Sequence, residues 1–77
     1  MNKGVPVRYL VVLETGKRGF GAYVPDLPGC VAVAGTRDET MKLIRESIEF
    51  HIEGLREAGE AIPQPASQGE VVEVDAA

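Results

Sequence analysis

Apolar and polar residues alternate with period two in short blocks of the first half of the chain, then recur every three to four residues in the second. Period two is the side-chain spacing of a strand, and 3.6 is that of a helix. The first block, about 7–14, is rich in β-branched residues and lies between Pro6 and Thr15-Gly16. Within it Tyr9, Val11 and Leu13 point one way and Arg8, Leu10, Val12 and Glu14 the other. Further strands are expected over about 20–24 and 30–34. From 37 to about 58, Met41, Ile44, Ile48, Ile52 and Leu55 fall on one stripe of a helix, and Gly59 suits the position just past its end. A second line, Leu43, Ser47, Phe50 and Gly54, repeats the spacing nearly opposite that stripe and has no partner in so short a chain. It is the candidate interface. An extended linker with two prolines covers 60–69, and alternation returns over 70–74 as an expected fourth strand.

The connections are written in turn chemistry. Thr15 to Gly19 is a polar hairpin loop whose glycines suggest positive φ. Pro25 has no N–H for a sheet ladder and stops the second strand. Leu27-Pro28-Gly29-Cys30 reads as a type II turn, with Pro28 presetting φ and Gly29 taking the positive φ that follows. Gly35 ends the third strand. Thr36 and Glu39 then form a capping box, in which the Thr36 hydroxyl takes the Glu39 N–H and the Glu39 carboxylate reaches back. Pro25, Asp26, Leu27, Pro28, Gly29, Gly35, Thr36 and Glu39 are therefore read as a structural motif without chemistry of its own.

This order, β-β-β-α-β, predicts a small α+β domain over residues 1–77 with sheet order 3-2-1-4 and the helix on one face. The other face is apolar in the first and third strands. An uncovered face of that size is more than a monomer normally exposes, so a homo-oligomer, dimer or tetramer, is expected. A chain of this length also buries only about 60–65% of its unfolded surface.

Charge sharpens the picture. Residues 1–35 carry four Lys/Arg and two acids, whereas residues 36–77 carry four Lys/Arg and ten Asp/Glu, which makes the overall net charge of −4. An acidic helix and tail disfavour binding to nucleic acid phosphates and suit a basic partner. The apolar run Tyr9 to Leu13 is too short for a membrane span or a signal peptide, and a cytoplasmic protein is expected. One cysteine and one histidine rule out an internal disulfide and cysteine-rich or multi-histidine metal sites within one chain. The helix acids Asp38, Glu39, Glu46, Glu49, Glu53 and Glu57 read as a solvated face, and no strand centre carries an acid for a nuclease metal. Cys30 reads as a small buried hydrophobe, His51 as a partly buried structural histidine, and Lys17 and Arg18 as a hairpin tip. No catalytic residue, metal or cofactor is expected.

One resemblance covers most of the chain, from about Val7 to Pro65. Its residues are Phe20-Gly21-Ala22-Tyr23-Val24-Pro25-Asp26-Leu27-Pro28-Gly29-Cys30, then Ala34-Gly35-Thr36, the helix through His51-Ile52, and Gly59-Glu60-Ala61-Ile62-Pro63-Gln64-Pro65. In these the chain resembles the HicB antitoxin family. The resemblance implies a degenerate, partial RNase H-like fold without nuclease activity. It also implies a HicA-like partner, a small basic mRNA-cleaving ribonuclease toxin whose active site the antitoxin masks. Many family members add a C-terminal DNA-binding domain. None is expected here, so neither is operator binding. The alternatives are a solitary self-assembling domain with no toxin and, on fold analogy alone, a divalent-metal RNase H-like nuclease.

Overall fold

Three short strands and one long helix form where the periodicity changes. In the computed structural model, which describes residues 6–76, β1 is Val12–Thr15, β2 Phe20–Tyr23, β3 Val31–Ala34 and α1 Arg37–Glu57. The sheet is antiparallel throughout, with order β1-β2-β3. Its register lines up Leu13, Ala22 and Ala32 across one face and Val12, Tyr23 and Val31 across the other.

β1 is shorter than the expected 7–14, and its neighbour explains why. Val12 pairs with Tyr23, and there the ladder stops. The next N–H on β2, that of Val24, donates to the Cys30 carbonyl at 3.3 Å, and Pro25 has none to give. Residues 7–11 thus lead into β1 with no strand assignment of their own. The expected fourth strand is a clearer correction. Residues 70–74 take no strand assignment and are exposed, so the order 3-2-1-4 is observed here only as its 3-2-1 part.

The turn between β2 and β3 is a double one. Leu27 N–H donates to Val24 O and Cys30 N–H donates to Leu27 O, both at 3.1 Å, and Gly29 sits at φ 93°. The arrangement drives Leu27 inward until no part of it is accessible. The hairpin loop between β1 and β2 is a second correction. Neither Gly16 nor Gly19 adopts positive φ. Gly19 is required by crowding instead: a Cβ there would lie 2.3 Å from the Ala34 carbonyl oxygen.

The helix start follows the sequence signal with one difference. Glu39 N–H donates to Thr36 Oγ1 at 3.1 Å, while the Thr36 hydroxyl itself donates to Glu39 Oε1 at 3.3 Å. One turn later Thr40 is completely buried. Its hydroxyl lies 2.8 Å from Thr36 O and 3.4 Å from Phe20 O, which fixes the first helical turn to β2. The helix closes at Ala58 and Gly59, the latter at φ 71°.

The core lies between the helix stripe and one sheet face. Ala22, Val24, Leu27, Cys30 and Ile44 are buried, with Tyr9, Val11, Leu13, Ala32, Met41, Ile48 and Ile52 packed around them. The helix covers that face only. On the other, Val31 and Val33 remain 63% and 77% exposed.

Candidate functional site

The polypeptide after the helix is tied down at three points. Tyr9 OH donates to the Pro63 carbonyl. The Asp26 carboxylate accepts from Ala66 N–H at 2.9 Å, Ser67 N–H at 3.0 Å and the Ser67 hydroxyl at 2.9 Å. Gly69 then passes close to the Leu10 side chain, near enough that a Cβ would stand 3.2 Å from it. Tyr9 and Val11 pack on the core, so by alternation Leu10 faces the other side of the sheet. The segment therefore leaves the helix, passes the Asp26 turn and reaches Leu10.

Asp26 is thus a clamp for a strap forty residues away in sequence. The Ala66 and Ser67 amides hold its carboxyl below the ordinary carboxylate value. The Tyr9 phenol is shifted upward, first by burial and then by the negative charge of Asp26 and by Cys30. The amides favour the charged carboxylate. The clamp is therefore whole above the usual Asp pKa near 3.8 and is lost as pH falls through the lower folded value. Two outcomes are expected in amide hydrogen exchange. Asp26→Ala lowers the protection factors of Ala66 and Ser67 while leaving mid-helix amides protected, and acidification below the usual carboxylate range lowers the same two protection factors in the parent chain.

The expected interface residues fall on one side of the helix. Leu43 is exposed, Phe50 is 83% exposed, Gly54 opens on empty space, and Ser47 is half-buried with its carbonyl 3.9 Å from Cys30 Sγ. That contact sets the line on the β3 side. At 100° per residue Glu39, Glu46, Glu53 and Glu57 form a row beside it, and all four are exposed. An exposed apolar pair flanked by four carboxylates is complementary in charge to a basic surface.

The other side of the helix differs. An open groove of about 610 Å³ separates it from residues 7–11. Tyr9, Val11, Met41, Ile44 and Ile48 form an apolar lining, and Arg8, Lys42 and Arg45 outnumber Glu49 at the polar positions.

Cys30 is buried and His51 half-buried, as read from the sequence, and Lys17 and Arg18 are exposed. Among the described residues no group of three or more His, Cys, Asp or Glu side chains is placed to hold a metal ion. No helix among them is long and apolar enough to cross a membrane.

Residues 9–76 match the model of a family described as the HicB_like antitoxin of bacterial toxin-antitoxin systems. The chain belongs to the HicB-like antitoxins. The match takes in the turn, the capped helix and the strap together. A chain in the solved HicA3 and HicB3 toxin-antitoxin complex superposes with a TM-score of 0.64 at 30% identity, covering 78% of this chain and 70% of that one. A 14.9 kDa protein from the rep-hol intergenic region of Haemophilus phage HP1 is 39% identical over 73% of this chain. This HicB-like chain spans only 42% of that relative's length. A UPF0150 protein of Thermoplasma acidophilum is 34% identical over 75% of this chain and 86% of its own length.

Proposed function

We propose that this chain neutralises a HicA-type, mRNA-cleaving ribonuclease toxin by covering its active site. It acts by contact and catalyses no reaction, and it does so in the cytoplasm, where the toxin's substrate lies. The observation that carries the reading is the β3 side of the helix, where exposed Leu43 and Phe50 lie beside Glu39, Glu46, Glu53 and Glu57. The match to a chain of the HicA3 and HicB3 complex supports the same partner type. An RNA-cleaving toxin must carry positive charge to hold phosphates. A carboxylate row speeds encounter with such a surface, and an apolar pair beside it supplies contact once water is expelled.

The experiment is an RNA cleavage assay with a HicA-type toxin. Cleavage should stop at a one-to-one ratio of this chain to toxin. Complex formation should slow as salt rises, because steering by exposed charges is screened. Undiminished cleavage in the presence of a tenfold excess of this chain would reject the reading.

A further inference from the structure

β3 is an outer strand of the sheet, and its own sequence does nothing to shield it. Val31-Ala32-Val33-Ala34 holds no charge and no proline. Its hydrogen-bonding groups alternate in direction. The Val24 N–H donates to Cys30 O, so the bonded positions of the ladder recur at Ala22 with Ala32 and at Phe20 with Ala34. The crowding at Gly19 agrees, since the Ala34 carbonyl that a Cβ would strike must point towards β2. The N–H and C=O groups of Val31 and Val33 therefore point outward, and among the described residues no strand pairs with them. Both valines are exposed. The strap meets Tyr9, Leu10 and Asp26 instead, and Tyr9 and Leu10 lead into β1, which β2 separates from β3.

The helix continues this edge. Cys30 Sγ lies 3.9 Å from Ser47 O, which sets Leu43, Ser47, Phe50 and Gly54 on the β3 side, and Glu39, Glu46, Glu53 and Glu57 form the next row. One surface thus passes from open backbone groups through an apolar strip to four carboxylates. We infer that a HicA-type toxin adds an extended segment to the β3 edge as it binds, which rests on the neutralisation proposed for this chain. The occupant that fits is a basic protein with such a segment to give. Its backbone bonds Val31 and Val33, its apolar side chains meet Leu43 and Phe50, and its cations reach the carboxylate row. A second copy of this chain fits less well. Two-fold antiparallel pairing of β3 with β3 would put both helices on one side of the joined sheet and bring two acid rows together.

Amide hydrogen exchange on the parent chain, free and with one equivalent of a HicA-type toxin, tests this beside the RNA cleavage assay. In the free chain the Val31 and Val33 amides should exchange quickly next to protected Ala32 and Ala34. Toxin should raise the protection factors of Val31 and Val33 about tenfold or more. Val33→Pro removes an outward donor that the fold does not use, and an edge strand tolerates proline. It should weaken toxin binding about tenfold or more with helical circular dichroism retained, whereas Val33→Thr keeps the N–H and should bind within about threefold of the parent. Should the proline variant fail to fold, exchange in the parent chain decides. Cleavage that stops while the Val31 and Val33 amides stay unprotected overturns the inference and leaves neutralisation standing. Cleavage that persists at a tenfold excess of this chain rejects neutralisation and the inference with it. Val31 and Val33 amides already protected in a free chain that sediments above its 8.2 kDa would give the edge to a second copy and overturn the inference as well.

Discussion

Leu27→Ala is expected to strip the chain of much of its stability. Leu27 is wholly inaccessible and stands among Ala22, Val24, Cys30 and Ile44, which with it make up the buried apolar set. Truncating a buried leucine costs about 2–5 kcal/mol, and the cost is greatest where neighbours cannot close the gap. They cannot close it here. Leu27 is held by hydrogen bonds on both sides, from its N–H to Val24 O and from Cys30 N–H to its own carbonyl, and Gly29 fixes the turn that follows. A chain of this length holds roughly 4–12 kcal/mol in all. One substitution thus removes much of the stability. Thermal denaturation followed by circular dichroism should show a melting temperature lower by about 10 °C or more. A melting curve unchanged within 2 °C would mean that the turn relaxes freely around the missing atoms.

The same turn shows which features local sequence could reveal. Pro28-Gly29 and Thr36-Glu39 act through bonds between residues three apart, and the stripe Met41, Ile44, Ile48 repeats within each turn of the helix. Such information is complete within a short window. The role of Asp26 is not, because its hydrogen-bond donors are Ala66 and Ser67. An aspartate between Pro25 and Leu27 gives no hint of a strap forty residues on. Thr40 is similar: a threonine on a helix reads as solvated until Phe20 O is found beside it. Residues 70–74 differ again: their valines suit a strand, and yet they take no strand assignment. Gly19 looked like a residue of special φ and proved to be one of close approach. The acid row beside Leu43 and Phe50 is present in the spacing, but six acids on one helix read first as a solvated face.

Leu43→Asp with Phe50→Asp is expected to abolish toxin neutralisation while the fold persists. Neither side chain belongs to the core, and Phe50 is 83% exposed, so the helix loses little packing when both are replaced. Apolar residues at the centre of an interface are worth about 2 kcal/mol or more each when truncated, and a buried carboxylate adds its own desolvation cost. Affinity should therefore fall on the order of 100-fold or further. Titration against the toxin and the RNA cleavage assay should both register it. The helical circular dichroism should not change, because the stripe that packs on the sheet lies elsewhere on the helix, at Met41, Ile44 and Ile48. If the Leu43 and Phe50 pair weakens self-association and leaves toxin affinity intact, the acidic side is the self-contact. The toxin must then engage the open sheet face, where Val31 and Val33 stand exposed.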